Sequence, residues 1–195
     1  MNRTFHGQSL TIVVCAAGPA RQVLRLITKA QNHGWTVDLV ATPAAVEFLD
    51  LEQLTAAIGR PVRTSPRSNA AVTSRRSGPP AAIIVAPATF NTINKIAAGI
   101  SDNYALTAIA EGIGHGVPTV VVPFVNTAFA RRAPFTRSIA QLRDEGIRVI
   151  YGSDDEWEPH EPGTGHQRVA LFPWYSALEE AEMRAARAAD AALDH

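Results

Sequence analysis

Short, apolar, β-branched runs recur along this chain, and each is followed by a stretch whose apolar residues are spaced like one face of a helix. No other feature of the sequence constrains the fold as tightly. "SLTIVVCAAG" is the first run, and Pro19 then opens a stretch with Val23, Leu24, Ile27 and Ala30 at helical spacing that stops at Gly34. "TVDLVA" reads as a second strand, followed by "TPAAVEFLD", where Thr42 can cap a helix and Pro43 can take its first position. "AAIIVA" reads as a third strand, with a helix running on through Ile93, Ile96 and Ala97 to Gly99. Next come a helix in "NYALTAIAEGIG", a strand in "PTVVVP", a helix in "PFTRSIAQLRDEG" and a strand in "IRVIY". "ALFPWYSALEEAEMRAARAADAAL" supplies a last, Ala-rich helix. Parallel strands need helical crossovers and are buried on both faces, so the alternation predicts an α/β chain whose parallel sheet is covered on both sides. In such sheets ligands bind beyond the carboxyl ends of the strands.

Composition narrows what such a sheet could serve. With 46% hydrophobic and 18% charged residues, the 195-residue chain can bury one core, and residues 1–195 are read as a single domain. Eighteen Lys and Arg balance eighteen Asp and Glu, so no net field recruits nucleic acid or an anionic membrane. No apolar run approaches the roughly 20 residues of a spanning helix, and the opening "MNRTFHGQSL" lacks the apolar stretch of a signal peptide. The expectation is a cytoplasmic protein with a small-molecule partner. Residues 1–9 read as a flexible N-terminus. Residues 60–80, with four prolines and five arginines, read as a long surface loop, and the acidic residues 152–168 as a segment able to fold over the site as a flap. Cys15 lies inside an apolar run and reads as core packing; no disulfide and no metal site are expected.

Four strand ends carry the candidate chemistry. The turn "CAAGPARQV" places small residues between a strand and a helix, where the backbone can approach an anion; a plain structural turn is the alternative. Thr42 ends the second strand and reads on its own as a helix cap. The third strand ends in "APATFNT", where Thr89, Asn91 and Thr92 crowd into one turn although a cap needs one such residue. Their hydrogen-bonding groups suit the polar edge of a planar heterocycle, whose face Ala88 and Phe90 could touch. Asn126 follows the fourth strand, which brings a second amide to the same rim; a turn in which the side chain bonds its own backbone is the alternative. His160 and His166 lie in the acidic segment, and Arg131 and Arg132 follow the fourth strand end.

These residues carry a resemblance. "APATFNTINKIAAGISDN" resembles the Pro-Ala-Ser-Ala-Asn-Thr segment of the homo-oligomeric flavin-containing cysteine decarboxylases, the family of phosphopantothenoylcysteine decarboxylase and the lantibiotic peptide decarboxylases. "VPFVNTAFARRAPFTRSIAQLRDEGIRVI" is similar to the family's Pro-x-Met-Asn-x-x-Met-Trp motif and to the helix and strand after it, so that the resemblance runs over residues 10–151. It implies a Rossmann-like (flavodoxin-like) three-layer sandwich with a mostly parallel sheet of five or six strands. It also implies FMN as cofactor and a homo-oligomer, a trimer or multiple of trimers, with the flavin between subunits. Gly18, Pro19 and Ala20 would face the FMN phosphate, with Thr42 and Pro43 nearby. Thr89, Phe90, Asn91 and Thr92 would hold the flavin, and Asn126 would bind the substrate carboxylate.

The departures fall on proton handling. Thr73 stands where the family carries its catalytic His; Val125, Phe129 and Ala130 replace the two Met residues and the Trp of the second motif; and the late flap has no Cys. A threonine has no pKa suited to acid or base work near neutrality. The sequence therefore points to an FMN-binding flavoprotein, a diverged decarboxylase or oxidoreductase acting on a small or peptidyl cysteine-type carboxylate. Standard phosphopantothenoylcysteine decarboxylation is disfavoured, and a catalytic residue is left unassigned. The alternative is a non-catalytic flavin- or ligand-binding protein, regulatory or part of a mixed oligomer. A flavin prenyltransferase is a weaker third reading.

Overall fold

Five parallel strands form the centre of the molecule, and their spatial order departs from their order in the chain. The structure, a computed structural model, describes residues 5–65 and 78–193. Strands β1 (Ser9–Val14), β2 (Thr36–Ala41), β3 (Ala82–Ala88), β4 (Thr119–Pro123) and β5 (Arg148–Val149) stand in the order β2-β1-β3-β4-β5. Helices α1 (Leu24–Asn32), α2 (Leu51–Ile58) and α8 (Trp174–Leu193) cover one face; α3 (Phe90–Ala97), α4 (Tyr104–Gly114) and α6 (Ala133–Asp144) cover the other. Two single-turn helices, α5 (Thr127–Ala130) and α7 (Gly165–Arg168), lie near the carboxyl end of the sheet. This is the three-layer α/β sandwich that the alternation predicts, with five strands.

Strand periodicity builds a core on each face. Successive side chains of a strand point to opposite sides, so Leu10, Ile12 and Val14 of β1 and Ile84 and Ala86 of β3 join Leu26, Ile27, Trp174 and Leu178 beneath α1 and α8. Val13, Ile83, Val85 and Val121 meet Ile93, Ile109, Phe135 and Leu142 on the other side. A cis peptide joins Ala86 to Pro87 near the end of β3, and the β3–β4 register shifts between Val85 and Ala88.

Local boundaries differ from the expected ones for identifiable reasons. The stretch opened by Pro19 begins as a 3₁₀ turn, Gly18–Gln22, before α1. Thr42 precedes a 3₁₀ turn, Pro43–Phe48, without a capping bond from its side chain. The α-helix starts later, at Asp50, whose carboxylate accepts the Gln53 N–H at 2.9 Å, and it ends at Gly59 in the left-handed region. The segment read as a loop from residue 60 first adds an edge pairing to β2, with Ala41 N–H donating to Arg63 O and Arg63 N–H to Leu39 O, both at 2.9 Å. The middle of that loop, Thr73 included, lies outside the described residues.

Candidate functional site at the strand ends

From β1 the chain crosses to β2 on one side and later returns to β3 on the other. The topological switch point therefore lies between the carboxyl ends of β1 and β3. Cys15 N–H donates to Pro87 O at 3.1 Å and Thr42 N–H to Val14 O at 3.0 Å, which ties the ends of the first three strands together. The turn above them is tightly roofed. A β-carbon on Gly18 would stand 3.1 Å from a methyl of Val169 and 3.3 Å from the Phe124 ring, so any side chain here would have to push that roof outward by a few tenths of an ångström. Pro19, Ala20 and Thr42 are buried beneath it.

At the end of β3, Thr89 caps α3 by accepting the Thr92 N–H at 3.3 Å, and the two threonine hydroxyls lie 3.0 Å apart. Beneath them burial pushes the Cys15 thiol up, and its bonds with the Thr92 side chain and the Thr89 backbone only partly oppose that shift. Cys15 is thus a neutral, buried packing group. Asn91 turns elsewhere: exposed, it lines an open groove of about 500 Å³ between α3 and α6, beside Asn94 and Arg137. Phe90 stacks on Phe129 at 4.9 Å between centroids and on Phe135 at 5.8 Å.

Asn126 caps α5, its Oδ1 accepting the Phe129 N–H at 3.0 Å. The turn in which this side chain bonds its own backbone is therefore formed, and it uses the oxygen while leaving both Nδ2 hydrogens to donate. The acidic segment packs down beside it. His160 pairs with Asn126 as a one-residue parallel bridge, with Thr127 N–H donating to His160 O at 2.8 Å and His160 N–H to Val125 O at 3.3 Å. Trp157 Nε1 donates to Pro123 O at 2.7 Å, and Phe124 packs against His160, Trp157 and Phe172. The wall so formed runs from Pro123 and Phe124 across Trp157 to His160, which stays partly exposed at its rim. Its base is anchored where Asp155 pairs with Arg148 and accepts the Tyr151 N–H at 2.8 Å. Burial alone would raise the Asp155 carboxyl, but Arg148, the Tyr151 amide and Arg143 together hold it below the ordinary carboxylate value.

The structure thus gathers Gly18, Pro19, Ala20, Thr42, Thr89, Thr92 and Asn126 around neighbouring strand ends; Pro43 opens the next 3₁₀ turn, and Asn91 sits on the adjoining α3–α6 face. His166 is exposed, and His33 bonds Glu182 at 2.8 Å on α8. Phe124 and His160 join the site as a contacting pair that the sequence does not announce. Residues 124 and 160 are too far apart in the chain for any local period to show that they touch.

The fold is that of a parallel α/β protein, and the candidate site lies at the switch point of its sheet. The chain belongs to the Flavoprotein family, whose model matches residues 2–169. It is 23% identical over 152 residues to the coenzyme A biosynthesis bifunctional protein CoaBC of Thermococcus kodakarensis, a match covering 76% of this chain and 38% of that protein. The chain thus spans well under half of that relative. Phosphopantothenoylcysteine decarboxylase HAL3a of Glycine max is 33% identical over 99 residues, 46% of each protein. Among solved structures, the FMN-dependent cysteine decarboxylase SpaF superposes with a TM-score of 0.67 at 22% identity, over 94% of this chain and 99% of that one. No helix among the described residues is long and apolar enough to cross a membrane.

Proposed function

We propose that this protein binds FMN at the strand ends and acts as a decarboxylase-like enzyme on a small or peptidyl cysteine-type carboxylate. The observation that carries this reading is the placing of two helix-capping polar residues, Thr89 and Asn126, at the ends of hydrogen-bonded neighbours β3 and β4, within a chain of the Flavoprotein family. The donor set fits a flavin. The Thr89 and Thr92 hydroxyls keep spare bonding capacity after bonding each other, and the Asn91 amide is exposed. Gly18, Pro19 and Ala20, with Thr42 and Pro43, supply the turn for the phosphate; Thr89, Phe90, Asn91 and Thr92 hold the ring. When bound, FMN supplies a two-electron sink for oxidising a carbon–sulfur unit. Asn126 Nδ2 donates to the substrate carboxylate and orients it while Oδ1 stays fixed in the cap.

A homo-oligomer, trimeric or a multiple of trimers, completes the reading, because Asn91 faces the α3–α6 groove rather than the switch point and can serve a flavin shared with a neighbouring subunit. Thr73, at the family's His position, favours a second reading in which flavin is bound without turnover, and it weighs against standard phosphopantothenoylcysteine decarboxylation. The absorption spectrum of the purified protein, before and after incubation with FMN, tests the first step. Bands near the flavin maxima are expected, and a protein that stays colourless would sink the proposal. Anaerobic incubation of the yellow protein with a peptide ending in cysteine then separates the two readings: release of carbon dioxide supports the enzyme, and its absence supports flavin binding alone.

A further inference from the structure

We propose that His160 is the acid–base group of the site, acting on the thiol of the substrate that Asn126 orients; this rests on the function proposed above. His160 enters the rim through the backbone. Its one-residue bridge to Asn126 makes the two residues ladder neighbours, and neighbouring strands lie about 4.8 Å apart with paired side chains on the same face. The imidazole is fixed on three sides. Its ring lies against Phe124 at 4.9 Å between centroids, and Phe124 in turn lies against Gly18 of the first turn. A β-carbon on Gly165 would stand 2.9 Å from His160 Cε1 and 3.1 Å from Nε2, so α7 can approach this edge of the ring, and Nε2 stays uncovered by a side chain there, only because that residue is glycine.

The third contact sets the tautomer. His160 Nδ1 lies 2.9 Å from Glu161 O, and a carbonyl only accepts, so Nδ1 carries the hydrogen and donates it. In the neutral ring Nε2 is then the unprotonated nitrogen. Glu158 and Arg168 line the same wall, and the Glu161 carboxylate is engaged by the Thr127 hydroxyl at 3.2 Å, so among the described residues no carboxylate is bonded to the ring. In the proposed step Nε2 accepts the thiol proton. The S–H bond breaks with its electron pair left on sulfur, an N–H bond forms, and a neutral pair becomes imidazolium and thiolate. After loss of carbon dioxide the same proton is available to return to the product.

Histidine-selective carbon-13 NMR of the FMN-loaded protein tests the proposal without turnover, with the His160 signal identified by its disappearance in His160→Gln. Adding N-acetyl-L-cysteine is expected to move that signal, whereas N-acetyl-L-alanine, which has the carboxylate but no thiol, moves it less. A signal unmoved by N-acetyl-L-cysteine at tens of millimolar overturns the assignment. With a peptide ending in cysteine, His160→Gln should lower kcat by about 100-fold or more, keep KM within a few-fold and leave the flavin spectrum unchanged. Added imidazole should partly restore turnover in His160→Gly. A His160→Gln protein with wild-type kcat overturns the proposal while leaving the FMN reading intact, and a colourless wild-type protein removes the FMN reading before either variant is made.

Discussion

In the proposed site Asn126 has two jobs for the two ends of one amide, and the two can be separated by substitution. Oδ1 caps α5 by accepting from Phe129 N–H, and Nδ2 is left for a carboxylate. Asp at this position keeps the capping oxygen and places a negative charge against the substrate, whereas Ala removes both functions. Asn126→Asp is therefore expected to melt within a degree or two of wild type, keep its flavin and lose turnover by at least 100-fold. Asn126→Ala should lose turnover similarly and in addition about 0.5–1 kcal/mol of stability, the low end of capping values because the helix is a single turn. Thermal melts followed by flavin absorbance, alongside carbon dioxide release, separate the outcomes; full turnover in Asn126→Asp would show that the amide does not meet the carboxylate. The sequence made this residue visible as a polar group after a strand. It could not show which atom of the amide is already used, because that depends on where the next turn of chain folds back.

Elements were legible where the apolar period is unbroken, as in β1, β3, β4 and α6. They were less so where capping choices compete: both Thr42 and Asp50 can start a helix, and the carboxylate of Asp50 takes the α-helical start. The spacing of elements was not legible at all. The "NYALTAIAEGIG" period announces α4, yet nothing in it says that Gly112 must lie so close to β3 that a β-carbon there would stand 2.1 Å from Ile83 Cδ1. Ile83 is buried, 1% exposed, and has little room to retreat. Alanine favours a helix over glycine by about 1 kcal/mol, while forcing a methyl into a packed core costs about 1–3 kcal/mol. Gly112→Ala is thus expected to be neutral to destabilising by about 2 kcal/mol. In the Ile83→Val background, where Cδ1 is gone, the same change should become stabilising. Urea denaturation of the four proteins of this double-mutant cycle measures the coupling, and additive effects would show that α4 does not pack on β3 this closely.

At the scale of the whole molecule, the acidic segment and the helical face opposite α8 behave differently. The segment is closed onto β4 by Trp157, Phe124 and the Arg148–Asp155 pair, a long-range arrangement that its acidic, loop-like composition hid. The helical face is left open. A second groove, of about 460 Å³ and lined by Ile96, Ile100, Leu106, Ile109 and Ile113, adjoins the one that holds Asn91, and Ile100 is 46% exposed on it. Apolar surface rimmed by the polar groups of α3 and α6 is what an association site needs, and the proposed shared flavin requires one next to Asn91. A charge at its centre should therefore act on assembly and cofactor together. Ile100→Glu is expected to convert a three-chain or larger species to a single chain in light scattering coupled to gel filtration, with an unchanged far-UV circular dichroism spectrum because the residue is on the surface of the single chain, and with a lower melting temperature because subunit contacts and FMN no longer stabilise the folded state. It should weaken FMN retention at the same time. A wild-type protein that runs as a single chain would remove the assembly, and an Ile100→Glu monomer that keeps its flavin in full would place the cofactor within one subunit, with Asn91 outside its reach.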